Sequence, residues 1–305
     1  MKIKKIIPSF SERIWGGQGL KKFGFKIPSD KKIGEAWVIS AHENGMGFLE
    51  EANEQGESLK AFFDQNRSLF GDYQGDYPLL SKIITPEDYL SVQVHPNDEY
   101  AMKHHNSLGK PESWFVIDCP ENAELIYGHN AKTKAEFETL IQEGNWDQLL
   151  KKVPIKKGDF VYVGAGKIHA ITPGVVVYEL QRSSDITYRL YDYDRVDAKT
   201  GQPRELHIQE SLDNVMIPDD NGVLVRSADK LVFSSDFFTL FRLKTIGEVW
   251  SCPEDTNWLQ WTVLEGQGTI NGVKFSAGES AIAFDGVAPL EIQGSMEVLI
   301  SWQKK

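Results

Sequence analysis

The chain alternates apolar and polar residues over short stretches, and punctuates them with glycine, proline and asparagine. Glu35–Ser40, Tyr89–Pro96, Ser113–Asp118, Asp159–Gly164 and Val175–Arg182 each read as a strand, because a two-residue period sends successive side chains to opposite faces. The pattern is that of a mainly β protein. Three stretches break it with helical spacing. Ser58–Phe70 and Leu206–Met216 carry apolar residues at three- and four-residue intervals, as surface helices packed on a sheet do. Thr133 to Lys152 opens with Thr133 and Glu136 in capping-box spacing and shows a stripe of Phe137, Leu140 and Ile141; Gly144-Asn145 divides it into two helices.

The segment from Lys156, KKGDFVYVGAGKIHAI, resembles the one from Phe275, FSAGESAIAFDGVAPLEI. Both have a glycine with an acidic neighbour, an apolar strand, a second glycine and another strand. Aligning Gly158 with Gly278 puts Pro289 opposite His169. Either the chain contains two related halves, the second stripped of its histidine, or two β-hairpins are alike by chance. At 305 residues it exceeds one usual core. Two domains are expected, 1–230 and 231–305.

Composition adds exclusions. The hydrophobic share of 41% and charged share of 25% are those of an ordinary globular protein. A net charge of -11 disfavours a general nucleic-acid surface, which needs clustered cations, but leaves room for a small phosphorylated ligand held by a few local basic residues. Cys119 and Cys252 stand far apart and suggest neither a disulfide framework nor a thiolate metal site. There is no apolar run of signal-peptide or membrane-span length, so a cytoplasmic protein is expected, with no membrane partner.

Three segments carry chemistry. In Leu90-Ser91-Val92-Gln93-Val94-His95-Pro96, Ser91, Gln93 and His95 share one strand face; a half-exposed strand with polar residues toward water would look the same. Glu112 follows Lys110-Pro111 at the start of an apolar run, where a carboxylate needs a partner if buried and is otherwise a surface ion pair. His169 ends the glycine-flanked strand from Gly158, as a ligand or as a core histidine. Together Gln93, His95, Glu112 and His169 offer two imidazoles, a carboxylate and an amide oxygen. That set suits a borderline divalent cation such as zinc.

These segments resemble type I mannose-6-phosphate isomerases in their short bacterial form. The likeness also runs through Arg-Ile-Trp-Gly-Gly at Arg13–Gly17, Gly-Glu-Ala-Trp at Gly34–Trp37, Pro-Leu-Leu-Ser-Lys at Pro78–Lys82, Gly-Lys-Pro-Glu at Gly109–Glu112, and Tyr188-Arg-Leu-Tyr-Asp-Tyr-Asp-Arg195. It covers the chain to about residue 215; the last 75 or so residues match only as a degenerate barrel. The resemblance implies two cupin-type jelly-roll β-barrels with a small helical insertion, and zinc on Gln93, His95, Glu112 and His169. It also implies a catalytic Arg189, with Lys82 and Lys110 lining the substrate site. Longer members have a histidine before Lys-Pro-Glu where this chain has Gly109, so no acid or base role transfers from it. His104 and His105 are nearby and read as a solvated loop.

The implied reaction interconverts mannose 6-phosphate and fructose 6-phosphate through an enediol, which needs a base at C1 and C2 and positive charge beside the developing oxyanion. Arg189, permanently cationic and forked, suits that charge; its alternative is an ion pair with Asp185 or Asp192. The base is Lys110 or a metal-bound water. Arg13, Lys82 and Arg195 are candidates for the phosphate, and Ser91 and Trp15 for the sugar, with a core position the other account of Trp15. The rivals are another metal-dependent cupin enzyme, such as an oxygenase or a sugar-nucleotide epimerase, and a non-enzymatic sugar-binding double cupin. The sequence does not fix the oligomeric state.

Overall fold

The computed structural model describes residues 2–51, 54–198, 200–226, 230–284 and 289–304. The protein is mainly β. Its strands form open sheets, each ending in edge strands among the described residues, so the expected closed barrels are not seen.

The chain forms two compact units, and they do not follow a single cut near residue 230, where residues 227–229 lie outside the described set. One unit comprises Met1–Glu12, Gln18–Ile83 and Ala228–Lys305; the other comprises Arg13–Gly17 and Ile84–Ser227. The reason is strand pairing. The first strand, Lys2–Ile7, runs antiparallel to Ser280–Phe284, with Lys2 opposite Phe284 and Ile6 opposite Ser280. Its other edge meets Phe48–Glu51. A sheet spanning such sequence distance cannot be cut by one break in the chain.

In that first unit three long strands, Phe238–Trp250, Leu290–Gln303 and Trp258–Ile270, pair side by side. Register shifts at Thr245/Gly247 and Val263/Glu265 bend them, as bulges do. Trp261, Phe275, Val298, Ile300 and Trp302 fill their core. Elsewhere in the unit Trp37 and Lys82 lie on the fully buried strands Ile33–Ile39 and Leu79–Ile84.

The second unit carries the chemistry. One sheet has the order Leu150–Pro154, Glu124–His129, His169–Ala170, Val92–Val94, Tyr188–Tyr191. A second run of strands has the order Val223–Val225, Phe160–Val163, Glu112–Asp118, Val176–Arg182. The two-residue period sorts the first sheet's side chains. Val92, Val94, Ile126, Ala170, Tyr188 and Leu190 face one core, which also takes in Phe137, Leu140 and Leu149 of the helices. Leu125 and Tyr127 face the opposite way, into a core shared with Trp114, Val116, Val161, Val163 and Val177 of the second run. Gln93, His169 and Arg189 have the parity of that inner face.

The helices form largely as the spacing predicts, at Leu59–Gln65, Lys134–Gln142, Trp146–Leu149 and Ile208–Asn214. Thr133 caps its helix by accepting from the Glu136 amide, while Glu136 Oε2 accepts from the Lys132 amide. Gly144, at φ 67°, makes the break. Leu150–Pro154 is a strand rather than the helix end, because its backbone pairs with Glu124–His129. A further helix, Asp98–His105, stands where a loop was expected. Asn97 caps it, Asp98 and Glu99 occupy its first turn and Lys103, His104 and His105 its last, each on the side the helix dipole favours.

The two glycine–acid segments build the same turn. At Lys156–Asp159 the Asp159 amide donates to the Lys156 carbonyl and Asp159 Oδ2 accepts from the Lys156 amide, with Gly158 at φ 88°. At Ser276–Glu279 the Glu279 amide donates to the Ser276 carbonyl and Glu279 Oε2 accepts from the Ser276 amide, with Gly278 at φ 86°. The second glycine of the later copy lies in 285–288, outside the described residues, and Pro289 stands exposed just before Leu290. Gly158→Ala and Gly278→Ala should therefore each destabilise by about 1 kcal/mol or more, since alanine is strained at these dihedrals. The larger loss is expected at Gly278, where a Cβ would lie 2.5 Å from the Phe23 carbonyl oxygen. Thermal melts of the two variants check both the cost and its order.

Candidate metal centre and active site

His95 sits just beyond the strand Val92–Val94, Glu112 opens Glu112–Asp118, and His169 opens His169–Ala170; all three are fully buried. Register brings them together. His169 is paired with Gln93, and on the facing run Glu112 stands opposite Val163 and Gln181. The ligating atoms of His95, Glu112 and His169 lie within 4.8 Å of one another.

Hydrogen bonds fix both rings. His95 Nδ1 lies 2.9 Å from the Ile186 carbonyl oxygen and His169 Nδ1 lies 2.8 Å from that of Lys167. A carbonyl only accepts, so each Nδ1 carries the proton and each Nε2 turns a lone pair to the centre, as metal-ligating histidines do. The two Nε2 atoms are 3.1 Å apart. Glu112 Oε2 is 3.2 Å from His95 Nε2 and Oε1 is 3.3 Å from His169 Nε2. Two lone pairs and a carboxylate facing one another repel, and the Lys110 ammonium, which reaches only the Oε2 side of Glu112, offsets part of that repulsion. A divalent cation relieves that conflict, so the residues fit a metal. Gln93 Nε2 is 3.3 Å from His169 Nε2, and a half-turn of the amide would bring its oxygen to the same place.

Lys110, buried at 3% exposure, closes the group from one side. Its Nζ lies 2.9 Å from Glu112 Oε2 and 3.3 Å from His95 Nε2. Burial, then the Lys110 ammonium, depress His95 to a pKa of about 3. Burial pushes Glu112 upward, but the Lys110 ammonium outweighs it and holds the carboxyl well below its ordinary value. Trp114, two residues along from Glu112 on the same face, sets its ring edge-on to His169 at 5.3 Å.

Arg189 stands opposite Gln93 in the pairing of Tyr188–Tyr191 with Val92–Val94, so the two side chains share a face. Its Nη1 donates to the Glu205 carbonyl, 2.8 Å away, and its Nε is buried without a hydrogen-bond partner among the described residues. Asp192, one of the carboxylates that could have neutralised it, is taken by Arg195 and Arg204. Burial and the Arg204 charge lower the Arg189 pKa.

The other anticipated residues divide. Ser91 is buried beside Gln93's strand. Trp15, 4% exposed, packs in the core with Leu90, Trp114 and Val177. Arg195 is engaged by Asp88, Asp192 and the Tyr89 carbonyl, so it is a structural cation. Arg13 is half-buried, and Lys82, in the other unit, holds its Nζ 4.8 Å over the Trp37 ring. His104 and His105 are exposed on a helix, stacked on Tyr100 and bonded to the Tyr188 hydroxyl. At Gly109 a Cβ would lie 2.7 Å from the Pro96 oxygen and the Asn97 carbonyl carbon, so this backbone has no room for the histidine of longer members.

Sequence reading missed the supports. Lys167, whose carbonyl orients His169, buries its ammonium on Asp219 Oδ1 and Asp220 Oδ1, each at 2.8 Å. The Asp219-Asp220 pair signals a cation partner, but nothing in the sequence says which.

Among curated proteins the chain is 41% identical to the mannose-6-phosphate isomerase ManA of Bacillus subtilis, over 96% of both chains. It belongs to the type I mannose-6-phosphate isomerase family. The catalytic-domain model of type I phosphomannose isomerase matches residues 3–113. Identity to the Streptococcus mutans mannose-6-phosphate isomerase is 40%, over 95% of both chains. The crystal structure of the Bacillus subtilis mannose 6-phosphate isomerase superposes with a TM-score of 0.92 at 34% identity, over 99% of this chain and 100% of that one. A zinc-bound mannose 6-phosphate isomerase shares the fold, with a TM-score of 0.79 at 16% identity over the whole of both chains. The isomerase's cupin fold thus accounts for the two sheets that hold the centre.

The depressed His95 gives a pH signature for the metal-free protein. The unfolded state, with an ordinary histidine near 6.5, takes up its proton first as pH falls, while the native ring stays neutral down to about 3. Stability is therefore full above about 6.5 and declines as pH falls through that window, with a slope approaching about 1.4 kcal/mol per pH unit. Urea unfolding between pH 7 and pH 4 should show this slope flattened in His95→Gln.

Proposed function

We propose that this chain interconverts mannose 6-phosphate and fructose 6-phosphate, with zinc held by Gln93, His95, Glu112 and His169. The observation that carries the reading is the convergence of two oriented imidazoles and a buried carboxylate, with Arg189 opposite Gln93 on the neighbouring strand, in a chain about 40% identical to curated isomerases over nearly its full length. A sugar-binding protein without catalysis has no use for so costly a cluster of buried groups.

The metal would supply fixed positive charge that polarises the sugar's oxygens at C1 and C2. Arg189 adds a forked cation on the same face as Gln93, suited to the oxyanion of the enediolate. Lys110, beside Glu112, is our candidate for moving the proton between C1 and C2, since its Nζ already lies among the groups that would face those carbons. Arg13 and Lys82 remain the candidates for the phosphate, and Ser91 for a sugar hydroxyl. The reading as another metal-dependent cupin enzyme gains no observation of its own.

A strong chelator should abolish the isomerase activity and stoichiometric zinc restore it, in a coupled assay on mannose 6-phosphate with metal content measured alongside. Full turnover by a preparation verified free of metal would end the proposal. Arg189→Lys keeps the charge but loses the fork; kcat should fall roughly 10²-fold or more with KM little changed, on the scale of a lost oxyanion donor. A rise in KM with kcat preserved would move Arg189 to the phosphate.

A further inference from the structure

Arg189 lies on Tyr188–Tyr191, the last strand of its sheet. The backbone of an edge strand needs partners from outside the sheet. Here they come from one short segment. The Arg189 amide donates to His207 Nδ1 at 3.1 Å, the His207 amide donates to the Arg189 carbonyl at 2.8 Å, and Arg189 Nη1 donates to the Glu205 carbonyl at 2.8 Å. Side chain and both backbone groups of one arginine are thus held by Glu205 and His207.

The segment is itself tied down. Between Asp192 and Arg204 the chain makes an excursion, narrowed by a bridge between Val196 and Pro203 and by the Asp197 amide donating to the Gln202 carbonyl at 2.9 Å. Arg204 closes it by a bidentate grip on Asp192, with Nε on Oδ2 at 2.8 Å and Nη2 on Oδ1. Such fork-to-carboxylate pairs fix direction as well as distance.

His207 also forgoes a local use. It is the residue before the helix Ile208–Asn214, yet its side chain makes no capping bond to that helix; Nδ1 is given to Arg189. A guanidinium whose neighbour Asp192 is engaged by two other arginines has every reason to swing toward water. Something must hold it. We infer that His207, braced by the Asp192–Arg204 clasp, is a positioning residue that holds Arg189 at the catalytic face. This rests on the reading of Arg189 as a group acting in turnover.

The test compares kcat and KM for H207A, H207N and H207Q, and for H207A combined with R189A, each checked for folding by circular dichroism and thermal melting. An asparagine oxygen reaches the place of Nδ1; a glutamine oxygen extends past it. H207A should lower kcat roughly tenfold, the scale of one buried hydrogen bond, with KM within about threefold, and H207N should recover most of the loss while H207Q does not. In the R189A background H207A should cost nothing further, because coupled residues are not additive. An equal cost in both backgrounds, or equal rates for H207N and H207Q, overturns the proposal. If H207A does not fold, the H207N and H207Q comparison decides alone. R189A turning over at the full rate instead sinks the prior reading of Arg189, whereas R189A crippled beside an intact H207A sinks only the positioning role.

Discussion

The second unit holds one electrostatic problem at its centre, a carboxylate fully buried between two imidazoles that point lone pairs at each other. Left alone, that group costs several kcal/mol. The Lys110 ammonium, 2.9 Å from Glu112, answers part of it and a divalent cation answers the rest. The surrounding architecture keeps the problem from relaxing. The Ile186 and Lys167 carbonyls stop the rings from turning, Trp114 fills the space beside His169, and the sheet registers prevent the three ligands from drifting apart.

The two-residue period is what allows one strand to serve both packing and chemistry. Val92 and Val94 enter a core with Phe137 and Leu140, while Gln93 turns the other way to His169. Arg189 repeats the arrangement between Tyr188 and Leu190, both buried in that same core. Apolar residues anchor the strand so firmly that the polar residue between them has little freedom. Preorganisation of this kind costs no energy at the moment of reaction.

The same alternation explains how much could be read in advance. The cluster of His95, Glu112 and His169 was visible because each lies on or just beyond a short strand whose alternation fixes its face, and because the set makes sense only together. The turns at Gly158 and Gly278 were visible because the left-handed conformation demands glycine. Long-range pairing was not. Nothing in Lys2–Ile7 names Ser280–Phe284 as its neighbour, so the division of the chain into units escaped the sequence. Leu150 to Lys152, the end of the helical reading, was misread for a related reason: only the strand alongside decides otherwise. Trp15 shows a third limit, since a large aromatic suits a core and a sugar pocket equally until its neighbours are known.

The contact at Gly109 has a consequence for how such a chain can vary. Here the backbone after His95 meets the backbone before Glu112, with the Lys110 amide on the Pro96 carbonyl at 3.4 Å and the Gly109 amide on Asp98 Oδ1 at 2.9 Å. The two ligand-bearing strands are thereby stapled at their bases, and the helix Asp98–His105 leaves from that staple and returns to it. On the way it packs back on the sheet, with His105 bonded to the Tyr188 hydroxyl and the Tyr100 ring against that of Tyr188, the neighbour of Arg189. Insertions are therefore best tolerated in the exposed turn around Asn106, whereas a change of register at Tyr100 or His105 reaches the strand that carries Arg189.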